Sequence, residues 1–315
     1  MNFLFFAASD RKFSGGWFIV CNKGIYFIVN LDGRLFGKAG NLLKTIRRAM
    51  QKKILIVDDH DDLSTALTAE FSRDGHFIRT CQSRDEAVGF IKAENFDLIV
   101  TDLDGEHLVS EIADEVTCLP DAETDSRSFI KAFKICVSSY KNDEFTEDEL
   151  KKFIETTLDY KAKFVDQKEM VQNWREKIEF EVPSFISLMH TILDYLLRRV
   201  EKNGVINSES SNLFVALDEA FVNAVKHGNK FDTTKLVRIS AEVSNKEARF
   251  TVEDEGDGFN IAEIPDPTDT ENLFKASGRG VLIIHNVMDE VRYNERGNRL
   301  EMIKKSESQK KAGEE

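Results

Sequence analysis

At 315 residues and 35.9 kDa the chain has the length of about two domains. With 41% hydrophobic and 31% charged residues, and only 4 Pro and 17 Gly, it is neither collagen-like, low-complexity nor wholly disordered. The net charge of −13 argues against a broad nucleic-acid footprint. Cys21, Cys81, Cys118 and Cys136 form no CxxC or other ligand-like cluster, which disfavours a disulfide scaffold or a zinc site and points to a reducing, cytoplasmic setting. The apolar stretch Trp17 to Leu31 is interrupted by Asn22-Lys23-Gly24 and is too short for a membrane span. The opening MNFLFFAASDRK has no basic segment before its apolar run and makes a poor signal peptide.

Residues 1–51 read as an N-terminal extension. Its first 50 residues carry eight basic side chains against Asp10 and Asp32, a charge of +6, which leaves −19 on the rest. WFIVC and IYFIV flank a turn signal and predict a hairpin. The segment is expected to be an appendage without a core of its own, consistent with an over-extended gene start before Met50; a basic regulatory arm is the alternative.

From Lys53 a regular alternation begins. KILIVDD is a short apolar run ending in acids, as in a buried parallel strand. Residues 62–73 place Leu63, Ala66, Leu67 and Phe71 at helical spacing, and HFIRTC (76–81) predicts a second strand. Ser83 and Glu86 form a capping-box signal for a helix to about Ala93, and FDLIVTD (96–102) predicts a third strand. This β-α-β-α-β order predicts a doubly wound parallel sheet with its site at the carboxyl ends of the strands. FKICVSS (133–139) is a candidate fourth strand, and Thr146 with Glu149 opens a long charged helix. The expected organisation is a receiver-like domain over 52–160, a linker over 161–175, a second α/β unit over 176–305 and a flexible tail over 306–315. Within the second unit the pattern predicts IEFEVPS, helices near 184–201 and 208–227, strands LVRISAEVS and ARFTVEDEG, a Gly/Pro/Asp-rich loop, a helix from Gly280 to about Glu290, and RLEMIKK.

Two constellations carry chemistry. Asp58 and Asp59 end the first strand and Asp102 ends the third, so three carboxylates converge on one sheet edge. Like charges this close call for a cation, and hard oxygen ligands suit Mg²⁺. Asp102 is then a candidate phosphoacceptor, with Ser138 or Ser139 placed to read the phosphate. Acids that merely solvate strand ends are the simpler alternative. This half resembles the receiver domains of two-component response regulators, on ILIVDD, the spacing to DLIVTD and the β/α rhythm. The resemblance implies Mg²⁺ binding by Asp58 and Asp59, with Asp102 as phosphoacceptor beside them, and an upstream histidine kinase or other phosphodonor. The family's lysine is matched only by spacing, at Lys161, and LDGEHLVSE departs from the usual sequence after the phosphoacceptor. Asp102-Leu-Asp104-Gly105 is also similar to the haloacid-dehalogenase nucleophile motif, a reading the strand order and Asp58-Asp59 oppose.

The second constellation comprises Glu219 and Asn223 in ALDEAFVNAVKHGNK, Asp254, Gly256 and Gly258 in DEGDG, and Gly278, Arg279 and Gly280 in SGRG before an apolar helix. Glu219 and Asn223 are i and i+4 and share one helix face. The Asn carbonyl suits a Mg²⁺ that bridges phosphates, and the Glu suits a base acting on an attacking hydroxyl. The Asp254 carboxylate can accept the amino group of adenine, with Gly256 and Gly258 allowing a tight turn. Gly278 and Gly280 precede a helix whose free N–H groups favour phosphate, and Arg279 adds a cation. Taken singly, a Glu and Asn on a helix or a D-x-G-x-G turn is ordinary surface chemistry; the order and spacing of all three make the signal.

This half resembles the GHKL ATPase superfamily, and within it the anti-sigma-factor serine kinases. The resemblance implies an α/β sandwich, ATP with Mg²⁺, a lid over about 259–279, and a serine or threonine on a protein substrate. It implies an anti-sigma antagonist and/or a sigma factor as partners and leaves a homodimer open, while charge and hydropathy argue for no direct nucleic acid and no membrane span. Pro265 and Pro267 fall in the lid. His190 is followed by Thr191 and not by an acid, so it is read as a structural His and not as a phosphorylated one; His227 fits either the phosphates or the helix end. The expected function is a receiver-regulated, ATP-dependent serine/threonine protein kinase of a partner switch. Nucleotide-gated sequestration of a partner without phosphoryl transfer is the alternative, and a histidine kinase fragment is opposed by the missing His box.

Overall fold

The chain divides into Met1–Lys52 and Lys53–Glu315. The computed structural model describes four strands of the first unit by their backbone, and residues 51–104, 131–137, 145–166, 175–206, 212–259 and 279–306. In the first unit β1 (Phe3–Phe5), β2 (Trp17–Asn22), β3 (Ile25–Asn30) and β4 (Leu35–Lys38) form one antiparallel sheet in sequence order. The predicted hairpin is the β2–β3 pair, with Trp17 opposite Asn30 and Asn22 opposite Ile25.

In the second unit, β5 (Lys53–Asp58) is buried from Ile54 onward because an apolar run in a sheet covered on both faces has no solvent side. Its residues alternate between two cores. Ile54 and Ile56 face the large one, with Leu63, Leu67 and Phe71 of α1 (Asp62–Arg73); Leu55 and Val57 face a smaller one, with Ala87 and Val88 of α2 (Arg84–Ala93). The Ser83 hydroxyl accepts the Glu86 N–H at 3.3 Å and starts α2. β6 (Phe77–Cys81) and β7 (Leu98–Asp104) run parallel to β5 on either side.

The fourth strand corrects the expectation of an all-parallel sheet. β8 (Lys131–Val137) runs antiparallel to β7, with Leu98 opposite Val137 and Asp104 opposite Lys131. The direction has an electrostatic consequence. Antiparallel entry brings Lys131, at the start of β8, to the acidic end of β7, where its ammonium lies 3.7 Å from Asp102. A parallel strand would carry that buried lysine to the opposite end of the sheet.

Beyond β8, a complete capping box between Thr146 and Glu149 opens α3 (Glu147–Tyr160). The helix continues as a π-helical turn, Lys161–Val165, so the stretch expected to begin a linker opens with buried residues at Lys161 and Val165. β9 (Glu176–Pro183), α4 (Ile186–Lys202), α5 (Leu213–Asn223), a π-helical turn Ala224–Gly228, β10 (Leu236–Val243), β11 (Glu247–Asp254), α6 (Arg279–Val287), β12 (Glu290–Tyr293) and β13 (Arg299–Lys305) follow. β9 pairs in parallel with β8 and antiparallel with β10. One nine-stranded mixed sheet results, in the order β12-β13-β11-β10-β9-β8-β7-β5-β6. The large core runs without a break from Ile54 to Met302 and takes in α1, α3, α4 and α5. No described helix is long and apolar enough to cross a membrane.

Candidate functional site

Helix α5 buries Leu213, Ala216, Leu217, Ala220 and Phe221, which leaves Glu219 and Asn223 half-buried on the adjoining stripe. Facing them is the first turn of α6. A Cβ added to Gly280 would lie 2.5 Å from Glu219 Oε2 and 3.5 Å from Asn223 Nδ2. The carboxylate, the amide and the N-terminal turn of a helix therefore share one small space.

Asp254 ends β11 nearby in the same half of the sheet. Its Oδ1 accepts the Gly256 N–H at 2.8 Å. Gly228 and Gly256 enclose it so tightly that a Cβ at Gly228 would overlap the Asp254 carboxyl group, and one at Gly256 would overlap the Gly228 carbonyl. Burial pushes the Asp254 carboxyl above the ordinary range, opposed by the Gly256 N–H and by Arg296. Gly258, with φ of 77°, turns the chain against the Arg296 carbonyl, where a Cβ would not fit. The Arg296 guanidinium donates to the Gly256 carbonyl at 2.7 Å and holds the same turn from the other side.

Asn229 and Asn298 support this turn, and neither is singled out by sequence reasoning. Asn229 is 1% exposed; its amide donates to Ser184 Oγ (2.8 Å) and to the Leu236 carbonyl (2.9 Å), and its Oδ1 accepts the Glu255 N–H (2.8 Å). Asn298 donates from Nδ2 to the Asp254 carbonyl at 2.8 Å. The only hint in the sequence was the position of Asn229 directly after the His-Gly that closes the helix. Lys230 and Phe231 follow with φ of 57° and 58°, a left-handed pair that costs about 1–2 kcal/mol per residue. His227 is exposed. His190 lies 3.4 Å from Asp218 Oδ1, joining α4 to α5 one residue before Glu219. Gly278, Pro265, Pro267 and the lid segment from 260 to 278 fall outside the described residues, as do Ser138 and Ser139; of Arg279 the backbone is described, as the first residue of α6.

At the other end of the sheet, Asp58 and Asp102 are register neighbours on β5 and β7. Their carboxylates serve different partners. Asp58 caps α1, with Oδ2 accepting the Leu63 and Ser64 N–H groups at 2.8 Å each. Asp102 is 2% exposed and faces Lys161, whose Nζ lies 3.2 Å from both carboxylate oxygens. The lysine matched by spacing thus reaches the acid, from a π-helical turn and not from a strand. Burial raises the Asp102 carboxyl, opposed by Lys161 and then Lys131. Asp59 accepts the Asp104 N–H at 2.8 Å through Oδ2. The described ligand-type atoms that cluster within 4.8 Å are those of Asp59, His60 and Asp104, with His60 Nε2 2.7 Å from Asp104 Oδ2. Asp58 and Asp102 are not among them.

Comparison with known proteins places the second half of the chain. A family model described as a histidine kinase-like ATPase domain matches residues 183–304. The serine-protein kinase RsbW of Staphylococcus epidermidis is 27% identical over 145 residues, covering 42% of this chain and 89% of that protein. The anti-sigma F factor of Clostridium perfringens (strain SM101 / Type A) is 33% identical over 100 residues, covering 31% of this chain and 71% of that protein. The RsbW of Staphylococcus aureus (strain MSSA476) is 27% identical over 145 residues, with the same coverage as the first.

Proposed function

We propose that this chain, which belongs to the anti-sigma F factor family of histidine kinase-like ATPases, is an ATP-dependent serine/threonine protein kinase of a partner switch. The observation that carries the reading is the meeting of Glu219, Asn223 and the α6 N-terminus at Gly280, beside the glycine-enclosed carboxylate of Asp254. In this reading Asp254 accepts the adenine amino group through Oδ2, since Oδ1 already accepts the Gly256 N–H. The α6 N–H groups and Arg279 receive phosphate oxygens. Asn223 would offer its side-chain carbonyl to a Mg²⁺, whose charge would offset that of the phosphates. Glu219 accepts the proton of the attacking serine or threonine hydroxyl. The names of the relatives, a serine-protein kinase and an anti-sigma factor, favour a serine on a protein substrate and a sigma factor as the bound partner; an anti-sigma antagonist as that substrate is what the resemblance of the motifs implies.

The test is titration of the full chain with a fluorescent ATP analogue and Mg²⁺. Wild type binds, and Asp254→Ala binds at least tenfold more weakly. Equal binding by the variant, or none by the wild type, contradicts the site.

A second reading concerns the acidic end of the sheet. Asp102 accepts a phosphoryl group from an upstream donor, with Asp59 on the metal side and Lys161 beside the acceptor. The placement of Lys161 at Asp102 favours it. The fit for a metal rests on Asp59, because the Oδ2 of Asp58 is taken by two backbone N–H groups and Asp102 is paired with lysine.

A further inference from the structure

The ion pair at Asp102 does not end at Lys161. The same ammonium lies 3.3 Å from Asp166 Oδ1, and that oxygen lies 3.2 Å from Arg199 Nη1. Arg199 continues to Glu176, with Nε and Nη2 each 2.7 Å from Oε2. The Tyr195 hydroxyl donates to Asp166 Oδ2 at 3.2 Å, and Lys202 donates to the Asp166 carbonyl. All five charged residues, with Tyr195, are buried. The series Asp102, Lys161, Asp166, Arg199, Glu176 alternates in sign from the end of β7 to the start of β9.

Tyr195, Arg199 and Lys202 occupy the C-terminal half of α4. The remainder of α4 packs Leu188, Ile192, Leu193 and Leu196 into the core shared with Leu213, Leu217 and Phe221 of α5. His190 also touches Asp218 on α5, the residue before Glu219. In a low-dielectric interior, removing one charge from such a series obliges its neighbours to find other partners. Packed helices then answer by shifting as units.

We propose that the buried series Asp102–Lys161–Asp166–Arg199–Glu176 is a coupling element through which the pairing of Asp102 with Lys161 bears on the packing of α4 against α5, making Asp166 and Arg199 positioning residues for Glu219 and Asn223. Its functional meaning rests on the reading of α5 as part of the nucleotide site; its physical content does not. Replacing Asp102 by an uncharged residue leaves Lys131 and Lys161 without this carboxylate, and Lys161 then shares Asp166 with Arg199 alone, so the hold of the series on the C-terminal turns of α4 changes. Phosphorylation of Asp102, on the second reading above, would act on the same lysine.

The test is hydrogen exchange of the full chain, read by segment, for wild type, Asp102→Asn, Tyr195→Phe and the double variant. Asp74→Asn, which removes an exposed pair with Lys152, is the control. Asp102→Asn is expected to speed exchange at least fivefold in residues 195–206 and 213–223 while leaving 236–254 unchanged. Tyr195→Phe produces a smaller change in the same segments, and the double variant exchanges there no faster than Asp102→Asn alone, because both act through Asp166. Exchange altered only in 98–104 and 161–166, or altered uniformly through 236–254 as well, overturns the proposal. If Asp102→Asn does not fold, Tyr195→Phe decides by the same criterion. A wild type that binds no ATP analogue overturns the nucleotide reading and leaves the exchange result to judge the coupling.

Discussion

Glu219 and Gly280 approach so closely that a Cβ on the glycine would lie 2.5 Å from Glu219 Oε2. No side chain fits there unless the carboxylate moves away from the α6 N-terminus. Gly280→Ala is therefore expected to keep the fold, since alanine favours helix, and to displace Glu219. Phosphoryl transfer should fall about 10²-fold or more, in keeping with the loss of a positioned base. Measured transfer within threefold of wild type would show that Glu219 need not face Gly280.

Asn229 makes three hydrogen bonds from a buried position, one to the Glu255 N–H in the Asp254 turn and two to Ser184 and Leu236 at the adjoining ends of β9 and β10. Asn229→Ala leaves the Glu255 N–H and the Leu236 carbonyl without this partner, at about 1–3 kcal/mol for each buried group. Urea denaturation should show a loss of about 2–6 kcal/mol for the two groups together, accompanied by weaker ATP-analogue binding. Ser184→Ala removes one of the three contacts and should cost less on both measures.

The raised Asp254 carboxyl has a signed consequence for stability. A carboxyl whose folded-state pKa lies above its unfolded value binds its proton more tightly when folded. Stability then falls as pH rises from the ordinary carboxylate range through the raised value. Asn resembles the neutral acid and carries no charge to bury. The stability of Asp254→Asn relative to wild type should therefore improve between about pH 4 and pH 7. A difference that is flat, or that moves against the variant, would mean that the buried charge is fully compensated.

Lys161 faces Asp102 and Asp166 from a position with no solvent exposure. Lys161→Met takes their shared cation away and should cost about 3–5 kcal/mol in denaturant melts, the range for breaking one side of a buried pair. The exposed Lys152 makes the opposite case: Lys152→Ala, which breaks its contact with Asp74, should change stability by less than about 1 kcal/mol.

Much of the fold was legible as period and punctuation. The apolar run Ile54–Val57 predicts a strand covered on both faces, and Thr146 with Glu149 marks the start of α3, where the structure forms both capping hydrogen bonds. The direction of β8 was not legible, because an apolar run carries no sign; in the structure it runs parallel to β9 and brings Lys131 to Asp102. β12 was hidden because Glu290–Tyr293 is four residues long and adjoins a helical pattern. Of the site, the i, i+4 pair on α5 and the glycines around Asp254 could be read from spacing alone. Asn229, Asp166, Arg199 and Glu176 could not, since each looks like an ordinary polar residue until burial gives it a partner; Lys161 was matched by spacing alone.

The most direct test of the central claim is transfer of labelled γ-phosphate from ATP to a serine-bearing anti-sigma antagonist, with wild type and Glu219→Gln run beside nucleotide titrations of both. Removing a positioned general base lowers the rate about 10²–10⁴-fold without removing the nucleotide contacts. The account predicts transfer by the wild type and a loss of that size in Glu219→Gln, with ATP affinity within about threefold of wild type. Unchanged transfer by the variant, or a wild type that binds ATP and its partner yet transfers nothing to serine or threonine, would contradict it and leave nucleotide-gated binding in its place.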